Sequence, residues 1–206
     1  MRSRGFTEKL NERLATIKPG RPFIASDFSD ITSAATIRRL LKVKIDAGEV
    51  TRILPGVYFQ PKVNRLLNES VPANPDAVAE AIARSNGWMI TASGETALNK
   101  LGLSTQVPAT WVYTSNGPYR QYDLDGINLV FKRTSNKSLS GLSSLSRLVV
   151  QALKALGKGN VTQETIRTIS ARLTQPEKET ILGETMRVTE WIRQIIVQIC
   201  RDAAHD

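Results

Sequence analysis

Between residues 3 and 17 the apolar side chains Phe6, Leu10, Leu14 and Ile17 recur at spacings of four, four and three, which predicts an amphipathic helix. Pro19-Gly20 stops it. Residues 21–62 then read RPFIASDFSDITSAATIRRLLKVKIDAGEVTRILPGVYFQPK. A short turn anchored by Phe23 and Phe28 leads through a polar break, Asp30-Ile31-Thr32-Ser33, into a helix-length stretch over residues 34–47. At about 100° per residue, Ala34, Ile37, Leu40, Leu41 and Ile45 gather on one side of that stretch. Ala35, Thr36, Arg38, Arg39, Lys42 and Asp46 fall on the other. Ser33 or Thr32 suits the N-cap, and Gly48 suits the left-handed residue that ends many helices. Lys44 lies inside the apolar sector, where its methylene stem can pack while the ammonium reaches water. Two β-prone runs, 50–54 and 57–59, follow, and the Pro55-Gly56 between them matches a type II turn.

Residues 62–74 (KVNRLLNESVPAN) are Asn-rich, contain Pro72, and read as a connector without strands. Pro75 sits in the first turn of a helix over 76–86, with Ala77, Val78, Ala81 and Ile82 inward and Gly87 as its stop. An alternating region comes next: a strand over 88–91, a helix over 95–101 capped by Ser93 or Thr91 and stopped by Gly102, and a strand over 110–114. Asn116-Gly117-Pro118 marks a turn, 127–131 a further strand, and 134–141 a polar loop. From Leu142 the pattern is helical, with a stripe of Leu145, Leu148, Val149, Ala152, Leu153 and Leu156 closed by Gly157. A run over 162–173 and a mostly helical segment over 178–203, weak at Gly183, complete the chain. The expected fold class is α/β (α+β). A winged helix-turn-helix over 1–64 is followed over 75–206 by a mixed α/β domain with a helical C-terminus.

Composition bounds the chemistry. Apolar residues at 41% and charged residues at 23% are ordinary for a globular protein. The formal charge is +9 and unevenly spread: residues 1–64 hold 12 Lys and Arg against 6 Asp and Glu, and the remainder hold 16 against 13. Most of the excess therefore lies over the proposed reader, where it attracts phosphate and steers association. No run of about 18 apolar residues and no signal-peptide core is present, and a cytoplasmic location without a membrane partner is expected. Cys200 is the only cysteine and His205 the only histidine. An internal disulfide, a Cys/His zinc site and a histidine-based nucleophilic triad are thereby excluded. No cofactor is expected, and a non-enzymatic role is.

Helix, turn, basic helix and two-stranded ribbon is the order of a module that sets one helix in the DNA major groove and lets its ribbon touch the flanking backbone. Cations on an isolated helix are usually a solvated face; here the order, the basic face and the ribbon coincide. Ser33, Ala35, Thr36 and Arg39 are expected to approach base edges, and Arg38, Lys42 and Arg52 to hold phosphates. Other clusters carry two readings each. Ser93 and Thr96 stand at a helix start that could hold an anion or simply be capped. Tyr113, Tyr119 and Tyr122 beside Arg120 are either a stacking surface for bases or half-buried sheet residues. Asp123 and Asp125, with Lys132 beyond, are a poor approach to a nuclease metal site, and a turn before the next strand accounts for them better. A nuclease-like or protein-interaction C-terminal domain is the alternative to a regulator.

The "GVYF" of the ribbon, the block "ASGETALNKLGLSTQVPATWVYTSNG" over 92–117 and the helix "VVQALKALGK" over 149–158 together resemble the AbiEi-type antitoxins. The likeness is stronger to a bacterial branch of them found beside type IV toxin–antitoxin operons, and it spans roughly residues 5–170. Its most specific part is "SGETALNKLGLSTQVP". The resemblance implies an N-terminal winged helix that binds the operon's own promoter as an autoregulatory repressor. It also implies a C-terminal domain that counters a nucleotidyltransferase-like toxin without a stable complex. Lys44 departs from the family, which tends to hold an aliphatic residue there.

Overall fold

The computed structural model describes residues 2–64, 69–135 and 141–202. Residues 65–68 of the expected connector, 136–140 of the expected loop and the helix end at Ala203 lie outside them. The described residues form a mixed α/β protein, divided into two compact units, Met1–Trp88 and Met89–Asp206.

In the first unit, α1 (Arg2–Thr16) buries Leu10 and Leu14, as its four-residue spacing requires. The chain continues through β1 (Phe23–Ile24), a 3-10 turn (Ala25–Phe28), α2 (Ala34–Asp46), β2 (Thr51–Leu54) and β3 (Val57–Phe59). The strands make an antiparallel sheet in the order β1-β3-β2, and Gly56, at φ 83°, supplies the turn between β2 and β3. Leu10, Leu14, Phe23, Phe28, Ile37, Leu41, Val50 and Tyr58 share one core. In it Phe23 meets Phe28 edge-on at 5.5 Å and stacks on Tyr58 at 6.1 Å. The 3-10 turn is closed by its own carboxylate, because Ile24 N–H donates to Asp27 Oδ2 at 2.9 Å.

Two expectations about the following segment are corrected. The connector is not free of strands: β4 (Lys62–Asn64) and β5 (Glu69–Val71) pair antiparallel. Pro72 falls one residue past β5, where it costs no ladder bond. The domain boundary also moves. α3 (Pro75–Asn86) packs on β1 and β3, so the first unit runs to Trp88, whereas a break between 64 and 75 was expected. Its N-terminus is fixed by Asn74, whose Oδ1 accepts from Asp76 N–H at 2.9 Å and Ala77 N–H at 3.3 Å, and Gly87 at φ 65° ends it.

The second unit holds a four-stranded sheet, β6 (Ile90–Ala92), β7 (Thr110–Ser115), β8 (Arg120–Leu124) and β9 (Ile127–Arg133), in the order β6-β7-β9-β8. β7 and β9 are parallel, from Thr110↔Asn128 to Ser115↔Arg133. β8, which the pattern did not predict, pairs antiparallel with β9 across Asp125-Gly126. Both turn residues have positive φ, 49° and 85°, as tight two-residue hairpins need. α4 (Glu95–Lys100) packs on β6 and β7, and α5 (Ser144–Leu156) packs on α4 and β6. α7 (Gln175–Glu184) and α8 (Glu190–Arg201) pack on α5, and α6 (Gln163–Ser170) packs on α8. The segment expected to be mostly helical over 178–203, with a weak point at Gly183, is two helices, separated by a 3-10 turn (Thr185–Arg187) and an extended Val188. Thr185 Oγ1 takes the carbonyl of Ile181 at 2.6 Å as α7 ends.

Two polar groups tie these helices together. Buried Lys178 donates to Ser170 Oγ at 2.7 Å and to the Asp202 carbonyl at 3.0 Å, joining the end of α6 to the end of α8. Glu184 accepts from Ser143 N–H at 2.7 Å and Ser146 Oγ at 2.6 Å, anchoring the start of α5. The Ser146 hydroxyl, then the Ser143 amide, hold the Glu184 carboxyl below its ordinary value of 4.5. A depressed folded-state value stabilises the protein above the unfolded value, and that contribution disappears as pH falls through the folded one. Glu184→Gln is therefore expected to lower stability at pH 7 but to lose its difference from wild type as the acid limb is descended, as read by thermal melts from pH 7 to 3.

Candidate nucleic-acid interface

α2 owes its form to both ends. Ser33 Oγ accepts from Thr36 N–H at 3.3 Å and lies 3.1 Å from Thr36 Oγ1, so the cap and its partner hydroxyl face each other. At the other end Gly48 takes φ 73°. Ile37 and Leu41 are fully buried against α1 and the 3-10 turn, while Ala34, Leu40 and Ile45 pack at the edge of that core. This seating turns the opposite face outward. Ala35, Arg38, Arg39 and Lys42 are exposed, and Thr36 is half-buried. Lys44, whose side chain is 14% exposed, packs its stem as expected, and its ammonium meets Glu49 Oε2 at 2.8 Å.

The geometry therefore brings Ala35, Arg38, Arg39 and Lys42 onto one surface, with Ser33 and Thr36 at its N-terminal edge. Arg52 is exposed on β2, in register with Tyr58 of β3. Among the described residues the ion pairs are Lys44–Glu49 and Arg84–Asp27, and neither involves Arg38, Arg39, Lys42 or Arg52. Four exposed cations that take part in no ion pair among the described residues are open to a polyanion. Ser33 and Thr36 differ in kind, since their hydroxyls already serve the helix cap. Ser33→Ala is expected to cost about 1 kcal/mol of stability, and Ser33→Asp to restore it because aspartate caps equally well. Chemical denaturation of the two variants reads this directly.

One residue of this face was overlooked. Val43 is 62% exposed and sits one turn beyond Arg39, an apolar side chain on the exposed side of the helix. Its position outside the apolar arc of α2 was the available signal.

The clusters of the second unit resolve differently. Ser93 donates to the Val112 carbonyl at 3.4 Å, and Thr96 Oγ1 accepts from Val112 N–H at 2.8 Å. Both fasten α4 to β7, and the N-cap of α4 is Gly94 with no side-chain cap bond. The three tyrosines do not share a surface: Tyr113 is buried and stacks on Phe131 at 5.6 Å, Tyr122 meets the same ring edge-on, and Tyr119 is exposed. Asp123 Oδ1 accepts from Gly126 N–H at 3.2 Å, which places it in the β8–β9 turn. Among the described residues no three Asp, Glu, His or Cys side chains gather as metal ligands, and no helix is long and apolar enough to cross a membrane. Partial burial pushes the Cys200 thiol above its ordinary value, against smaller opposing effects of Lys178 and Arg193.

No curated protein and no solved structure matches this chain. A family model described as a family of unknown function, DUF6088, matches residues 9–181. With that match running over most of its length, the chain belongs to the DUF6088 family.

Proposed function

We propose that the first unit is a winged helix-turn-helix that binds duplex DNA, and that the protein is a promoter-binding autoregulator. The observation that carries this reading is the outer face of α2, where Arg38, Arg39 and Lys42 stand exposed with no carboxylate partner among the described residues. The order α1, β1, 3-10 turn, α2, β2, β3 supports it, because it supplies a supporting helix, a presented helix and a ribbon. In this reading the first turns of α2 enter the major groove. Arg39 forks onto a guanine edge, Ala35 and Thr36 approach neighbouring bases, and Ser33 fixes the helix end. Arg38 and Lys42 bind phosphates beside the groove, and Arg52 does so from the ribbon.

Val43 adds an apolar contact suited to the thymine C5-methyl group. Replacing one thymine of the bound site by uracil is expected to weaken wild-type binding by about 0.8 kcal/mol, the value of one buried methyl group. Val43→Ala should abolish that difference. Equal affinities for both duplexes in the wild type would remove Val43 from the contact set.

The resemblance to AbiEi-type antitoxins supports a wider role as the antitoxin of a type IV system, countering a nucleotidyltransferase-like toxin without a stable complex. Titration of the full chain with the duplex upstream of its own gene, at several salt concentrations, tests the DNA half. Log K should fall linearly with log salt, at a slope of about −0.9 per phosphate neutralised. Absent or salt-insensitive binding overturns it. For the antitoxin half, expression beside the product of the neighbouring gene should restore growth without co-purification, and a failure to restore growth overturns that half alone.

A further inference from the structure

Three arginines from three separate elements of the first unit line one cleft. Arg13 comes from the last turn of α1, Arg21 from the segment entering β1, and Arg84 from the last turn of α3. The cleft has a volume of about 340 Å³, and the buried rings of Phe23 and Phe28 back it. Asp27 is the one carboxylate among its lining residues, and that group is already committed. Its Oδ2 accepts from Ile24 N–H at 2.9 Å and from Arg84 at 3.3 Å. Among the described residues, the hydrogen bond of the Arg13 side chain goes to the Asp27 backbone carbonyl, at 3.5 Å. Arg21 makes no side-chain hydrogen bond or ion pair among the described residues.

Cations on one helix face are commonly spread out in solvent. These three are brought together by the fold itself, since positions 13, 21 and 84 meet only because α3 packs on β1 and β3. Against one carboxylate they leave two surplus positive charges around a concave surface. Such a surplus favours an anion with several acceptor oxygens, and guanidinium forks match tetrahedral oxyanions well. We propose that this cleft binds a phosphoryl group. Arg13 and Arg21 grip its oxygens, and Arg84, oriented by Asp27, completes the positive field. The site is distinct from the outer face of α2 and stands whether or not that face reads DNA. A backbone phosphate of a duplex and free inorganic phosphate share this chemistry as sources.

The test uses the full chain and two arms. In the first, inorganic phosphate is titrated against chloride at matched ionic strength while the arginine Nε–H resonances are followed. In the second, the salt slope of duplex binding is measured. Arg21→Gln is the main variant because its side chain makes no bond that the fold needs, and Arg13→Gln is the second. A saturable phosphate response that weakens at least about tenfold in both variants, with the duplex salt slope unchanged, supports the site with free phosphate as its source. A slope lowered by about 1 in Arg21→Gln assigns it to a duplex phosphate. No saturable response in the wild type, together with an unchanged slope, overturns the proposal. So does a phosphate response that both variants retain. Failure of the full chain to bind any duplex would count against the α2 reading alone, since the phosphate arm is read without DNA.

Discussion

Arg39→Ala is expected to weaken binding to the preferred duplex by about 1–3 kcal/mol and to flatten sequence preference at one position, whereas Lys42→Ala weakens all duplexes alike. The difference follows from where the two side chains stand and what they can offer. Both are exposed on the outer face of α2, three residues apart. Arg39 carries a planar fork that can meet two acceptors of one guanine edge at once. Lys42 carries a compact charge that attracts any phosphate equally. A competition series with single-base variants of the selected site should therefore separate them, since Arg39→Ala compresses the ratio of best to second-best base. Lys42→Ala should leave that ratio in place and lower the salt slope by about 1. Neither substitution should alter thermal stability much, because neither side chain takes part in an ion pair among the described residues. If Lys42→Ala left the slope untouched, or if Arg39→Ala lost affinity uniformly across sequences, the assignment of base and phosphate contacts on this helix would be wrong.

The parts of this fold that were legible in the sequence are those punctuated by capping chemistry. Ser33 and Gly48 bracket α2, and Pro75 and Gly87 bracket α3; each acts through a local backbone requirement that does not depend on the rest of the chain. The buried and exposed arcs of α2 followed for the same reason, because a fixed helical period decides them. β8 was illegible because Arg120, Gln121 and Asp123 are exposed and Leu124 alone is buried, so an edge strand left no alternating signal. The β4–β5 ribbon escaped because its pairing is a matter of backbone bonds in a polar segment. The split between α7 and α8 hid behind a continuous supply of isoleucines, although Gly183 marked the place within two residues. Ser93 and Thr96 were credited to a helix start, but they serve β7 through Val112, a partner far along the chain. The arginine cleft belongs to this last kind. Its members are ordinary surface arginines in the sequence and become a site only when α3 closes on the first sheet.

Truncation of Phe28 is expected to destabilise the first unit strongly, by about 3–5 kcal/mol for Phe28→Ala. Its ring is fully buried, meets Phe23 edge-on and shares a core with Leu10 and Leu14 of α1 and Ile37 and Leu41 of α2. The 3-10 turn that carries it is only four residues long. A turn so short has little propensity of its own, so its place beneath α2 depends on this anchor rather than on helical cooperativity. The aromatic pair with Phe23 adds about 0.5–1.5 kcal/mol beyond the area buried, which an aliphatic replacement also forfeits. Phe28→Leu should accordingly destabilise by less than Phe28→Ala, keeping most of the volume but not the edge-to-face contact. Urea denaturation monitored by circular dichroism ranks the two. The functional corollary is sharper. At urea-free, low-temperature conditions where Phe28→Leu remains folded, its affinity for duplex DNA should match wild type within about twofold, since Phe28 is wholly buried and cannot touch DNA itself. A Phe28→Leu protein that is folded yet binds tenfold more weakly would mean that the presentation of α2, and not only its cationic face, sets recognition.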